Sequence, residues 1–192
     1  MRWEALFDDL DGQWEAEERR ERDAEVADRT RAERARVLLA ERYAASRGET
    51  LTLWLAAGTT VEGRLVDLGA DWVLLRDAAG REVLVAADAV VGVTGLSRRS
   101  EPDVTARRFA LGYALRALSR DRTPVVVTDR SGGRVTGTID AVGRDWCEVS
   151  EHPLDEPRRS ATVRGRRVVP TLEIIASVAS AEARIAFRPA AL

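Results

Sequence analysis

The residues of this chain that could carry nucleophilic, acid–base or metal chemistry are few. There is a single histidine, His152, and a single cysteine, Cys147. His152 precedes Pro153 in a polar stretch and is predicted to lie on a surface loop, whereas Cys147 follows Trp146 in a strand and is predicted to be a small buried hydrophobic side chain. One histidine and one cysteine cannot make a standard metal site, and no glycine-rich nucleotide-binding motif is present. We therefore expect no catalytic residue, no metal, no cofactor and no enzyme activity.

A cluster of arginines is the local feature best suited to binding an anion. An insertion at 150–167 contains five arginines within ten residues: Arg158, Arg159, Arg164, Arg166 and Arg167. Because guanidinium groups pair well with phosphates, these side chains are candidates for contact with RNA. The alternative is a solvated hairpin whose charges are neutralised by acidic neighbours, and the lack of interleaved Phe or Tyr favours that alternative.

Charge is distributed unevenly along the chain. The net charge of −2 combines 13 Arg and 20 Asp or Glu over 1–97 with 15 Arg and 10 Asp or Glu over 98–167. The asymmetry is compatible with head-to-tail self-association, with solubility alone, or with an anion-binding back half such as an RNA surface.

The sequence has no feature typical of a membrane-spanning or secreted protein. There is no run of about 20 apolar residues that could span a bilayer, and the first residues do not combine a basic start with a long apolar stretch. A single cysteine excludes an intrachain disulfide, so a reducing cytoplasm is the expected location and no membrane partner is expected.

Helical patterning dominates the first quarter of the chain. A short helix over 3–10 is predicted to end at Asp11-Gly12. A long helix over 14–46 is then predicted, because this stretch has no Pro or Gly and is rich in good helix formers. Three Glu–Arg pairs at i, i+4, which support such a helix, are Glu15–Arg19, Glu18–Arg22 and Glu25–Arg29. We expect residues 1–47 to contact a protein partner or a second copy of the chain.

Short strands separated by turn residues follow. Period-two alternation and turn signals predict five strands between residues 51 and 93, and strands resume at 124. A helix over 101–120 is predicted between them, starting at a capping box over 100–103.

An internal repeat relates the two strand-rich regions. A shift of 74 residues places 61–72 on 135–146 with matching glycine, aspartate and tryptophan positions. The matched positions are Gly63, Gly69, Asp71 and Trp72 in the first copy and Gly137, Gly143, Asp145 and Trp146 in the second. A glycine inside a strand typically marks a sharp bend, and the Gly-x-Asp pairs indicate tight turns. The tryptophans are predicted to plug the end of a barrel, with base stacking as the alternative.

The pattern of a helix followed by five short bent strands, with V-x-G-x-L in the second strand, resembles the Sm-like small barrel. It is also similar to the C-terminal barrel of the ribosome maturation factor RimP and to an uncharacterised group of actinobacterial proteins. The resemblance implies an α+β, mainly β fold: an N-terminal long helix plus two tandem helix-preceded five-stranded Sm-like (SH3-like) barrels. The asparagine of the Sm uridine site has no counterpart in 69–73, so that site is not carried over.

These patterns divide the chain into five regions. They are an N-terminal helical segment (1–47), a first barrel (48–98), a connecting helix (99–121), a second barrel (122–180) and a C-terminal tail (181–192). The expected function is that of a non-catalytic binding or scaffold module acting through protein–protein contact or self-association. The alternative is an RNA-binding or ribosome-associated factor that uses the Arg-rich face of the second barrel.

Overall fold

The computed structural model describes residues 2–56, 58–102, 109–154, 162–179 and 188–189, of which 2–12, 16, 175–179 and 188–189 are described by their backbone alone. Two compact units are present, Met1–Leu38 and Leu39–Leu192. The second unit holds both strand-rich regions. The boundary between the units follows Leu38, nine residues before the end expected for the helical segment at 47.

The first unit is a single helix, α1 (Arg2–Arg34). The break predicted at Gly12 is wrong, because one glycine costs a helix only about 1 kcal/mol and its neighbours are good helix formers. The three predicted i, i+4 pairs are confirmed, with N–O distances of 3.3–3.6 Å. All are exposed to solvent, so each stabilises the helix only slightly.

The prediction that the helix continues to residue 46 is wrong. The last turn of α1 tightens, since the N–H groups of Arg36 and Val37 bond three residues back to Glu33 and Arg34. A separate helix, α2 (Leu39–Ala44), follows and buries Tyr43 and Ala44. The guanidinium of Arg42 donates a hydrogen bond to the carbonyl of Ser97 at 3.0 Å. This bond and the burial of Tyr43 and Ala44 hold α2 in the second unit as a short, separate element.

The second unit is built mainly from strands. The first five are β1 (Thr50–Leu55), β2 (Thr59–Leu68), β3 (Trp72–Arg76), β4 (Glu82–Ala86) and β5 (Val90–Thr94). The next five are β6 (Pro124–Asp129), β7 (Arg134–Val142), β8 (Trp146–Glu151), β9 (Gly165–Pro170) and β10 (Ile174–Ala179). A short strand, β11 (Arg188–Pro189), pairs with the start of β2. We call β1–β5 the first block and β6–β10 the second block.

All strand pairs among the described residues are antiparallel, and the order is β5-β1-β2-β3-β4-β10-β6-β7-β8-β9. The α+β, mainly β prediction is therefore confirmed. Within the described residues β4 does not pair with β5, nor β9 with β10, so no hydrogen-bonded pairing closes either block into a barrel.

The internal repeat extends to the register of the strands. Thr50 pairs with Arg64 in the first block, and Pro124 pairs with Thr138, each 74 positions later, in the second. The irregularity in β2 between Leu65 and Asp67 recurs in β7 at the same offset. Both blocks thus share one local fold.

The connecting helix is shorter than predicted. Residues 97–101 are not helical, residues 103–108 lie outside the described part, and α3 spans Leu111–Arg120 after an extended Ala110. The expected capping box over 100–103 does not start it. Instead, the carboxylate of Asp71 accepts the N–H of Leu111 at 2.7 Å, so a residue from a distant turn caps this helix.

The core lies along the inner faces of both blocks. Leucines of β1 and valines of β6 are fully buried, and Leu111 and Leu115 anchor α3. Among the described residues, no helix is both long enough and apolar enough to cross a bilayer.

Candidate functional site

The predicted arginine cluster lies on and around β9. Arg158 and Arg159 are outside the described residues, whereas Arg164, Arg166 and Arg167 lie within them. Among the described residues β9 pairs with β8 alone, which makes it an edge strand.

Acidic residues of β8 face the described arginines of β9. The guanidinium of Arg167 lies 2.9 Å from the carboxylate of Glu151, and that of Arg166 lies 3.8 Å from Glu148. These ion pairs are partly exposed, so they are weak, but they offset the positive charge that would attract a polyanion. For Arg166 and Arg167, the geometry is that of the neutralised hairpin.

The two ends of the sheet are free edges. At one end β5 pairs only with β1, and at the other β9 pairs only with β8, within the described residues. Both edges carry exposed apolar side chains: Val91 on β5 is 71% exposed and Val168 on β9 is 59% exposed. Unpaired edges with apolar side chains are templates for pairing with another strand.

The junction between the blocks shows what such an edge can bind. β4 of the first block pairs with β10 of the second, with Val85 opposite Ala176 and Val83 opposite Val178. Arg130 reinforces the junction, because its guanidinium donates to the carboxylate of Asp88 at 2.7 Å and to the carbonyl of Leu172 at 2.6 Å.

The repeat makes the free edges equivalent to the two sides of this junction. Trp72 pairs with Ala86 in the first block, and Trp146 pairs with Pro170 in the second, so β9 corresponds to β4 at an offset of 84. Leu84 of β4 is only 7% exposed beside β10, whereas its counterpart Val168 is open to solvent. The apolar side chain at this position is therefore buried at the β4–β10 junction and exposed at the free edge of β9.

The two repeat tryptophans have different surroundings. Trp72 is buried, with 6% of its surface exposed, whereas Trp146 is 37% exposed. Because no strand pairing closes either block within the described residues, the plugging of a barrel end stays a prediction for both. The indole N–H of Trp72 donates to the carbonyl of Phe109, just before α3, at 2.9 Å. Each indole also packs on the turn glycine of its own copy, Gly69 or Gly143.

The strand glycines are placed as the sequence predicted. A Cβ on Gly63 would lie 2.7 Å from the carbonyl oxygen of Arg76, and a Cβ on Gly137 would clash with the carbonyl of Ser150. Both positions are close backbone approaches within the second strand of each block. The turn aspartates also recur: the carbonyls of Asp71 and Asp145 accept the N–H groups of Ala87 and Thr171.

The prediction that His152 lies on a surface loop is wrong. Its side chain is 3% exposed; its Nε2 lies 2.8 Å from the hydroxyl of Thr138, and its Nδ1 lies 2.8 Å from the carbonyl of Pro153. Nδ1 must donate to that carbonyl, which leaves Nε2 of a neutral ring to accept from Thr138. These partners make His152 a satisfied buried residue.

The prediction for Cys147 is confirmed. Its side chain is fully buried, and burial raises the pKa of the thiol to about 11, so almost no reactive thiolate forms at neutral pH. Among the described residues, no group of three or more His, Cys, Asp or Glu side chains could hold a metal ion.

An open groove of about 720 Å³ lies over the exposed side of β2 and the β3–β4 hairpin. One wall holds an ion pair in which the Asp77 carboxylate contacts the Arg81 guanidinium at 2.5 Å. Burial opposes ionisation of Asp77, but hydrogen bonds from Arg81 and Ala79 outweigh it and hold the pKa of this carboxyl below its usual value. The two charges satisfy each other, so this wall is a structural element.

Sequence reasoning missed one exposed feature. Phe109 and Tyr113 stack with their ring centroids 4.3 Å apart and their planes 14° apart, and both are nearly half exposed. Their spacing of four residues within the predicted helix over 101–120 was the available signal.

No protein-family model matches this chain, and no curated protein is significantly similar to it in sequence.

Proposed function

We propose that this protein is a non-catalytic scaffold that associates head to tail through the free edges of its sheet. The observation that supports this most directly is the β4–β10 junction. It already joins two copies of one fold within a single chain. The repeated register and the irregularity that recurs in the second strand of each copy support the interpretation of each block as a unit of the small-barrel type.

The proposed contact has a definite register. Applying the offset of 84 to the junction places β9 of one molecule against β5 of the next. Val169 would then lie opposite Gly92, and Val168 opposite Val93. Main-chain hydrogen bonds supply the affinity of such an added strand, and the exposed valines supply apolar contact.

The interface would be heterologous, because one edge is the counterpart of β4 and the other is the counterpart of β10. A heterologous contact adds molecules in one direction and leaves a free edge at each end, unless the rotation between neighbours closes a ring. The protein is therefore expected to form a series of oligomers or a closed ring.

The test is the oligomeric state of the full chain by light scattering over a concentration series. We expect Val91→Glu and Val168→Glu each to yield monomers, because either one places a charge in the strand contact. A mixture of the two variants should give a dimer, since each retains the edge that the other has lost. A monomeric wild-type protein at all concentrations, or a mixture that stays monomeric, would refute the proposal.

The N-terminal helix is the competing surface. Trp14 is 72% exposed on α1, so Trp14→Glu is a matched substitution away from the sheet. If Trp14→Glu abolishes association while the two valine variants do not, α1 carries the contact.

A further inference from the structure

An aromatic and basic stripe runs along the exposed side of α3. It begins with the stacked rings of Phe109 and Tyr113 and continues with Arg116 and Arg120. Spacings of three and four residues place Tyr113, Arg116 and Arg120 on one helical face, and Phe109, which precedes the helix, joins them by stacking on Tyr113. All four residues are exposed, whereas Leu111 and Leu115 are buried. We call these four residues the α3 stripe.

The exposed rings are not required to close the core. Phe109 supports the fold through its backbone, whose carbonyl accepts the indole N–H of Trp72 at 2.9 Å. Its ring stacks on Tyr113 instead. A stacked pair of half-exposed aromatic rings offers flat apolar surface to a ligand with planar rings.

The sequence of α3 and of its flanking residues carries a positive net charge. α3 contains no acidic residue, and the sequence from Arg98 to Arg122 holds seven arginines against three acidic residues. Neither Arg116 nor Arg120 forms an ion pair with another described residue, in contrast to Arg166 and Arg167 on β9.

The stripe continues onto the turn between β7 and β8. The guanidinium of Arg116 donates to the carbonyl of Gly143 at 2.8 Å, which holds the helix against this turn. The turn exposes Arg144, and the partly exposed indole of Trp146 packs on Gly143. A third aromatic ring and a third guanidinium thus adjoin the stripe.

We infer that the α3 stripe binds single-stranded nucleic acid. Bases would stack on Tyr113 and Phe109, and Arg116, Arg120 and Arg144 would contact phosphates. Aromatic rings beside exposed arginines match both parts of such a ligand, the planar bases and the anionic backbone. This inference is independent of the head-to-tail contact, because the stripe lies on a helix and not on a sheet edge.

The test is fluorescence anisotropy of labelled oligouridine and oligothymidine of equal length, titrated with the nuclease-treated full chain over a salt series. We expect binding of both probes, because stacking tolerates any base. Tyr113→Ala should weaken binding about tenfold or more through lost stacking. The double variant Arg116→Glu/Arg120→Glu should abolish binding near physiological salt.

Milder removal of charge provides a second readout. Arg120→Gln alone should lower the slope of log affinity against log salt by about 0.7, the value for one phosphate on a single strand. Tyr113→Ala should leave that slope unchanged.

The matched control is Arg19→Glu/Arg20→Glu on α1, which makes the same charge change on an exposed helix and should have little effect. Circular dichroism and the unfolding midpoint must show that every variant is folded. The inference is overturned if the wild type binds neither probe at low salt. It is also overturned if Tyr113→Ala binds like the wild type, or if Arg166→Glu on β9 removes binding while the double variant does not.

Discussion

The indole Nε1 of Trp72 donates a hydrogen bond to the carbonyl oxygen of Phe109 at 2.9 Å. This bond ties the first block to the chain that enters α3, and through it to the second block. The peptide N–H of Ala70 points to the same carbonyl at 3.4 Å, and Asp71 caps α3 next to it. The turn geometry that recurs in both copies thus fixes, in the first copy, the connection between the copies.

The two repeat tryptophans should therefore contribute unequally to stability. We expect Trp72→Ala to lower the free energy of unfolding by about 3–5 kcal/mol, the usual cost of truncating a buried tryptophan. Trp146→Ala should cost less than half as much, because its indole is already partly solvated. Urea unfolding followed by far-ultraviolet circular dichroism measures both, and equal losses would contradict the difference in burial.

The strand glycines should tolerate no side chain. Gly137→Ala is expected to destabilise the protein by about 2 kcal/mol or more, because the added Cβ meets the backbone of Ser150 and the strands must move apart. Gly165→Ala is the control, since a Cβ there meets nothing within 4 Å, and its effect should stay within about 0.5 kcal/mol. Thermal unfolding of both variants tests this, and a harmless Gly137→Ala would disprove the close approach.

The Asp77–Arg81 pair should make stability depend on pH in the acid range. The pKa of Asp77 is lowered in the folded protein, so its contribution is complete above the unfolded value of about 4. That contribution disappears as the pH falls through the lower folded pKa. Asp77→Asn should lower stability at neutral pH by about 1–3 kcal/mol and flatten the loss below pH 4.

The measurement for Asp77 is the urea midpoint at a series of pH values. Glu62→Gln, an exposed substitution on the neighbouring strand, is the control and should follow the wild-type curve. If Asp77→Asn showed the same acid dependence as the wild type, another carboxyl would be responsible.

Cys147 should be unreactive in the folded protein. Its burial and raised pKa predict that a thiol reagent at pH 8 labels it only when the second block opens. Labelling should therefore be very slow without denaturant and should accelerate with urea in parallel with unfolding. Immediate labelling of the folded protein would show that the pair of strands β7 and β8 opens easily.

Much of the local structure could be predicted from the sequence. Five strands were predicted between residues 51 and 93, and the five strands of the first block span Thr50 to Thr94, because alternating apolar residues and turn glycines are local signals. The arginine–glutamate pairs of α1 were predicted for the same reason, since i, i+4 neighbours meet on any helix. Two features of α1 were not predicted: its continuity through Gly12 and its end at Arg34. The limits of a helix depend on small energy differences between neighbouring turns.

The candidate surfaces were harder to predict. The arginine cluster was visible as a run of charge, but the carboxylates of Glu148 and Glu151 face it only because β8 and β9 are paired in this register. The burial of His152 depends on Thr138, which lies on a different strand. The stacked rings of Phe109 and Tyr113 depend on where α3 begins.

The sequence by itself determined that two copies of one strand pattern are present, where their bends and turns fall, and that chemistry-bearing residues are scarce. Only the tertiary structure decided which edges are paired and which are free. In the structure β4 pairs with β10, whereas β5 and β9 each keep one unpaired edge within the described residues. Asp71, and not a residue next to α3 in sequence, caps that helix. The physical reason is that hydrogen bonds between strands are formed by backbone groups that every residue possesses. Side-chain patterns therefore show where a strand lies, but only the packing of the whole second unit selects its neighbour.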